Sequence, residues 1–144
     1  MKKAITNWAA PLLCGLFIFT LFRFVFFIGY VPSASMEPVI SAGSCVFGRR
    51  LIGDIRLGDV IIFERDGILL AKRVAGVPGD VIYIDDTRLA TAVNEELPGH
   101  TRALTVPDSC CFLLGDNTEY SIDSRVWEEP FVERAQVIAV LFKR

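Results

Sequence analysis

No acidic side chain occurs in this 144-residue chain before Glu37, and only Lys2, Lys3 and Arg23 are charged ahead of it. A stretch of that length without a carboxylate is unlike a solvated surface. The chain as a whole, 52% hydrophobic with a mean hydropathy of +0.44, is too apolar for a soluble domain of this size, so part of it must face lipid. Excess positive charge is also missing: beyond residue 30 there are 12 basic against 17 acidic side chains. That balance leaves no electrostatic footprint for a phosphate backbone and excludes nucleic-acid binding. Histidine occurs once, as His100 between Gly99 and Thr101 in a weakly patterned stretch, with no neighbouring carboxylate to orient it for a Ser-His-Asp triad. Of four cysteines, Cys14 lies in the apolar run, and the remaining Cys45, Cys110 and Cys111 cannot all pair within one chain. Adjacent Cys110 and Cys111 on a strand point to opposite faces, which suits packing better than a shared metal. With one histidine and no ligand spacing, neither a metal nor a cofactor is expected. Internal repeats are absent.

What is present begins with Trp8 to Tyr30, WAAPLLCGLFIFTLFRFVFFIGY, which holds a single charge, Arg23. At ~1.5 Å rise per residue a helix of this length crosses the ~30 Å hydrocarbon layer, so it reads as a transmembrane helix. Pro11 falls near its start, where a missing donor costs little, and Lys2 and Lys3 favour a cytoplasmic N-terminus. A guanidinium at the centre of an inserted helix costs ~2.5–3.5 kcal/mol, which places Arg23 at the outer interface and the span at about residues 5–22. Phe24 to Ile28 then form an apolar surface in the headgroup region. The expected division is residues 1–30 as anchor and interfacial segment, and 31–144 as a β-rich domain outside the cytoplasm. A cleaved signal peptide ending near Ser33-Ala34-Ser35 is the alternative; the apolar run exceeds the ~7–15 residues of an h-region, which favours a retained anchor. Both readings export the rest of the chain.

After residue 30, short β-type runs recur: Cys45 to Phe47, Val60 to Phe63, Ile68 to Val77, Val81 to Ile84, Cys111 to Leu114 and Val137 to Phe142. Gly53-Asp54, Gly58-Asp59, Gly79-Asp80 and Gly115-Asp116 punctuate them as turns. The pattern predicts a mostly β fold, a small folded sheet or barrel. Asp85 to Pro107 reads as an exposed loop or hairpin excursion, and a short helical turn is expected around Glu128 to Arg134.

Two features suggest chemistry. In Ile68 to Val74 a period of two puts Lys72 on one face with Ile68, Leu70 and Val74, and Arg73 on the other with Leu69 and Ala71. An amine on an apolar face loses hydration, its pKa falls, and it becomes a candidate general base; the alternative is a lysine snorkelling from a strand edge. The second feature is Pro32-Ser33-Ala34-Ser35-Met36-Glu37-Pro38, where two hydroxyls spaced two apart project to one side of an extended segment. Ser35 could attack a carbonyl, and the Ser33 hydroxyl with the Ser35 N–H could stabilise the oxyanion. An ordinary polar linker is the other reading of these residues.

Taken together the runs resemble the membrane-bound type I signal peptidases, which use a serine–lysine dyad. Ser33-Ala34-Ser35-Met36-Glu37-Pro38 resembles their nucleophile box, Leu57-Gly58-Asp59-Val60-Ile61 the next, and Lys72-Arg73-Val74-Ala75-Gly76-Val77-Pro78-Gly79-Asp80 the lysine box. Gly115-Asp116-Asn117 with Ser121, Asp123, Ser124 and Arg125 resembles the C-terminal box. The four stand in the family's order over roughly residues 23–142. The resemblance implies Ser35 as acylating nucleophile, Lys72 as general base, Ser33 as oxyanion donor and Ser121 as the group that orients the lysine amine. It also implies an ion pair of Asp123 with Arg73, and supporting roles for Gly115, Asp116, Asn117 and Arg125. Departures lie outside the dyad: Val39-Ile40 replaces a common Thr-Leu, Thr118 an arginine, and Glu128 a frequent glycine. The stretch from Asp85 to Pro107 is too short for the second domain of some members, which implies a minimal catalytic core.

The implied function is removal of signal peptides from exported preproteins, with small residues at the first and third positions before the cut. The partners are those preproteins and the lipid bilayer; oligomeric state is open. A specialised peptidase maturing one pilin or conjugation substrate, and a non-catalytic membrane-tethered β module, are the alternatives. Self-cleaving serine–lysine repressors would need a DNA-binding module for which the anchor leaves no room.

Overall fold

A computed structural model describes residues 2–85, 91–94 and 101–142. Helix α1 covers Lys2–Thr20 and passes through a π-helical turn, Leu21–Val25, into strand β1, Phe26–Val31. The other strands are β2 Ser44–Arg49, β3 Val60–Arg65, β4 Ile68–Gly76, β5 Val81–Asp85, β6 Thr91–Val93, β7 Thr101–Thr105, β8 Cys110–Leu114, β9 Phe131–Glu133 and β10 Val137–Leu141. A large antiparallel sheet has the order β1-β2-β10-β3-β4-β8-β9, and a small one the order β6-β5-β7. The fold is mostly β behind one apolar helix.

The composition of β3 explains its central place. Its run Val60-Ile61-Ile62-Phe63 is apolar on both faces, as a strand covered on both sides must be. Ile61 and Phe63 pack with Val74, Leu113 and Val132, whereas Ile62 turns to a second cluster with Phe27, Val31, Val46 and Ala139. A third cluster of Ile82, Ile84, Val106 and Phe112 joins the small sheet to the large one. Two of the Gly-Asp turns show their local chemistry directly. Gly58 and Gly79 adopt positive φ, and the Asp59 and Asp80 carboxylates accept the backbone N–H of Arg56 and Val77, three residues back.

Three expectations need correction. The surface expected at Phe24–Ile28 becomes, from Phe26 onward, the edge strand β1, because Phe27 and Val31 alternate into the core at 5% and 6% exposure. Its strand pattern is masked in the sequence by continuity with the anchor's apolar run. Within Asp85 to Pro107 the described residues form β6 and β7, both paired with β5, so the hairpin excursion holds and the loop does not. His100 lies outside the described residues. The helical turn expected at Glu128–Arg134 is instead β9 followed by a 3-10 turn at Arg134–Gln136, where Glu133 and Gln136 cap reciprocally. The alternation reasoned for the thiols is seen in β8: Cys111 is buried and Cys110 half-buried, and burial pushes the Cys111 pKa up to about 11.

Gly48 is required for space. It faces Leu141 across the β2–β10 pairing, and a Cβ there would lie 2.6 Å from the Val140 carbonyl oxygen. Gly48→Ala should lower unfolding stability by ~1–3 kcal/mol, the range for overpacking, as read from the thermal midpoint in detergent. An unchanged midpoint would show that the two strands can separate freely here.

Candidate active site

Lys72 lies in β4 opposite Ile61, on the strand face that buries Val74 and Gly76. Only 2% of its surface is exposed. An ammonium there has lost most of its hydration, and this burial lowers the pKa from the ordinary lysine value. The Asp123 and Asp116 carboxylates oppose the shift, while the Arg125 guanidinium adds to it. The amine has one polar side-chain partner among the described residues: Nζ donates to Ser121 Oγ at 2.8 Å.

Ser121 is presented by the segment that follows β8, and the segment is held by buried polar groups. Asp123, fully buried, accepts the Gly115 N–H at 2.9 Å and Arg125 Nε and Nη2 at 2.9 and 2.8 Å. Burial alone would raise the Asp123 pKa; bonds from Arg125, Gly115 and the Ser121 side chain outweigh it and hold the carboxyl below its usual range. Ser124 Oγ accepts the Leu113 N–H at 2.9 Å, and its own N–H donates to the Leu113 carbonyl at 3.1 Å. The Ser121 hydroxyl therefore gives its proton toward Asp123 and offers a lone pair to Lys72. That polarity directs one amine N–H away and leaves the nitrogen lone pair of the neutral amine free.

The Ser33–Ser35 segment reaches the same place from the other end of the large sheet. Asn117 ties it down, its backbone N–H donating to the Ser35 carbonyl at 3.1 Å and Nδ2 to the Ala34 carbonyl at 3.0 Å. Met36, with no exposed surface, plugs it into the interior. The Ser33 and Ser35 hydroxyl oxygens are 3.4 Å apart. The Ser35 N–H makes no hydrogen bond among the described residues, and Ser35 and Lys72 share none directly. The segment that bears Ser121 and the segment that bears Ser35 meet at Gly115. A Cβ at that position would overlap the Ser121 hydroxyl and lie 2.6 Å from the Ser35 carbonyl oxygen, so only hydrogen in place of a side chain lets both segments approach. Gly115 has no positive φ, and space is its whole requirement.

The ion pairs differ from the implied set. Arg73 does not bond to Asp123: Nε and Nη2 each bond an Asp116 carboxylate oxygen at 2.6 Å, and Nη1 donates to the Gly58 carbonyl at 2.9 Å. Strand register gives the reason. Arg73 is paired with Leu114, so Asp116, two residues on, lies on its face, while Asp123 belongs with Lys72 and takes Arg125. Each of the two arginines thus has its own carboxylate. Sequence reasoning assigned no role to Met36 or Ser124 and only a turn to Asp59, and all three are buried here. Asp59 braces β4 near Lys72, since its carbonyl accepts the Val74 N–H at 2.8 Å while the Gly58 N–H returns to the Val74 carbonyl.

A cavity of about 450 Å³ lies away from Lys72. It opens at Val39 and Ile40, just after the Ser33–Ser35 segment, is walled by Val46 and Val60, and ends at Arg73. It is an apolar groove along the sheet face opposite the amine.

A desolvated amine, two adjacent hydroxyls and an unengaged backbone N–H are the parts of a serine hydrolase site that uses lysine as base. The family model for signal peptidase, peptidase S26, matches residues 5–96 and 90–143, and the chain belongs to that family of serine peptidases. Signal peptidase I of Bacillus licheniformis is 28% identical over 148 residues, covering 86% of this chain and 80% of that protein. Signal peptidase I S of Bacillus subtilis (strain 168) is 28% identical over 147 residues with the same coverage, and signal peptidase I of Bacillus caldolyticus is 34% identical over 135 residues, 74% of this chain and 72% of that protein. A crystal structure of a signal peptidase I from Enterococcus faecalis V583 matches 63% of this chain and 99% of its own at 28% identity and a TM-score of 0.49.

Gly115→Ala should leave the protein folded but lower peptidase turnover by ~100-fold or more, the cost of a displacement of about 1 Å between reacting groups. The check is a steady-state assay alongside a circular dichroism spectrum. Full activity in a folded Gly115→Ala protein would show that Ser35 and Ser121 need not approach.

Proposed function

We propose that Ser35 is the nucleophile and Lys72 the general base in the cleavage of signal peptides from exported preproteins. One observation carries this reading: an amine that is almost fully buried, lowered in pKa by that burial, is held by Ser121 beside the segment that bears Ser35. Neutral Lys72 takes the Ser35 proton as Oγ attacks the scissile carbonyl. The carbonyl oxygen, now negative, is met by the Ser35 N–H and the Ser33 hydroxyl. The ammonium of Lys72 returns its proton to the leaving amine, and an ester between Ser35 and the signal peptide remains. Water, deprotonated by the same lysine, then hydrolyses the ester and restores both groups. Ser121 positions the amine throughout; Asp116, Asn117, Asp123, Arg73 and Arg125 hold the two segments in register.

The substrates in this reading are preproteins with small residues at the first and third positions before the cut. The apolar groove beside Val39 and Ile40 suits an extended apolar chain. Among the described residues one helical stretch, Trp8–Val25, is long and apolar enough to cross a membrane, with none of that window buried in the fold. It supports a single-pass arrangement in the cytoplasmic membrane, N-terminus inside and the 31–144 domain outside, with residues 1–30 as anchor and interfacial segment and β1 shared between the two. Holding enzyme and preprotein in one membrane restricts the search for the cleavage site.

The test is cleavage of a preprotein bearing an Ala-x-Ala site by the reconstituted protein. Wild type should cut it; Ser35→Ala and Lys72→Ala should lose at least ~10³-fold of the rate. Because protonated Lys72 cannot accept a proton, activity should fall as pH drops through its folded pKa, and this acid limb should lie below the ordinary lysine value. Cleavage by Lys72→Ala, or an acid limb at the ordinary value, would remove Lys72 as base.

A further inference from the structure

Cleavage divides the substrate into two halves, and the groove accounts for only one of them. The acyl half suits the apolar groove that opens at Val39 and Ile40, and no residue lining that groove belongs to 115–125. The leaving half is placed by the chemistry. Its amine takes the proton from Lys72, so its nitrogen comes within ~3 Å of Nζ, and Nζ itself lies 2.8 Å from Ser121 Oγ. The released chain therefore starts beside Ser121. At ~3.3–3.6 Å per extended residue, its first two residues pass the chain neighbours of Ser121, which are Tyr120 and Ile122.

Those two neighbours contrast with the residue between them. Ser121 turns its hydroxyl to Lys72 and Asp123, while Tyr120 and Ile122 are 73% and 72% exposed. Neither packs into a hydrophobic cluster of the core. A single exposed apolar side chain is ordinary on any surface. Two that flank the residue holding the base stand where the leaving chain must pass. The backbone that carries them is fixed: the Tyr120 N–H donates to the Asn117 carbonyl at 3.2 Å, Arg125 Nη2 to the Thr118 carbonyl at 3.4 Å, and the Asn117 N–H in turn holds the Ser35 carbonyl. An aromatic and a branched aliphatic side chain on a fixed backbone offer contact area at little ordering cost, and a polar chain laid against them gains less than an apolar one.

We infer that Tyr120 and Ile122 contact the first two residues of the released chain and make the enzyme select apolar side chains there. The inference rests on the reading of Ser35 and Lys72 as nucleophile and base. It carries a kinetic signature. Peptides that differ only after the cut leave the same ester on Ser35, so hydrolysis of that ester is common to them, and selection by Tyr120 and Ile122 falls on acylation alone.

The test uses the full chain reconstituted in vesicles of one composition, with two soluble peptides that share an Ala-x-Ala sequence before the cut. Leu-Val follows the cut in one and the similarly sized Asn-Thr in the other. The inference predicts a kcat/KM larger by roughly fivefold or more for the Leu-Val peptide, with equal rates of ester hydrolysis for the two. Tyr120→Ser/Ile122→Ser should bring the ratio of the two kcat/KM values close to one, and Tyr120→Phe/Ile122→Val should keep it. A loop that merely lost its shape would slow both peptides together and leave the ratio standing, so the ratio separates contact from support. A wild-type ratio of one or below, or a ratio undiminished in the Ser variant, would overturn the inference and leave the dyad in place. Cleavage of neither peptide by wild type, or of both by Lys72→Ala, would strike the dyad reading and the inference with it.

Discussion

The withdrawal of one amine from water is the constraint around which the rest is arranged. A lysine side chain on a strand interior face costs stability unless its proton can leave, and β4 places Lys72 there between Leu70 and Val74. The surroundings then decide how far the pKa falls. Asp123 favours the charged form of the amine, but Asp123 is paired with Arg125, whose guanidinium opposes it. Desolvation is left to dominate. Arg73, the next residue, is turned to the other face and occupied with Asp116, so its charge is spent structurally.

This arrangement makes the position of hydroxyls as important as their identity. Ser121 stands between Asp123 and Lys72, donating to one and accepting from the other, and so sets the direction of the amine as well as its place. Ser35 comes from a segment remote in sequence, anchored through its carbonyl by Asn117 and through Met36 by the interior. Gly115 is where the two meet. The buried Asp123–Arg125 pair is not a strong source of stability, because desolvation offsets most of its attraction; its worth lies in specifying one loop geometry.

Much of this was legible in the sequence because it rests on period and on turn chemistry. The alternation through Ile68–Val74 separates Lys72 from Arg73, and the structure keeps that separation. Runs such as Val60–Phe63 and Cys111–Leu114 announce buried strands by composition. The edge strand Phe26–Val31 was hidden because its aromatic residues continue the apolar anchor without a break, and only pairing with β2 distinguishes the two. The partner of Arg73 was hidden for a different reason. Both Asp116 and Asp123 lie in one box, and the choice between them depends on which face each carboxylate reaches once Leu114 has paired with Arg73. Steric requirements were legible only in part: Gly115 could be recognised as special, but the contact with Ser121 and Ser35 is a tertiary fact.

The chain contains four lysines, three of them at its ends, so the central quantity can be observed directly. With 13C at the ε-carbon of every lysine, NMR titration of the reconstituted protein resolves each amine, and Lys72→Met assigns the signal that disappears. One resonance, absent from that variant, should titrate well below the ~10.4 of an unperturbed lysine. If the Lys72 signal titrates with the others near that value, the amine is charged at neutral pH, and the base at the centre of this account is not Lys72.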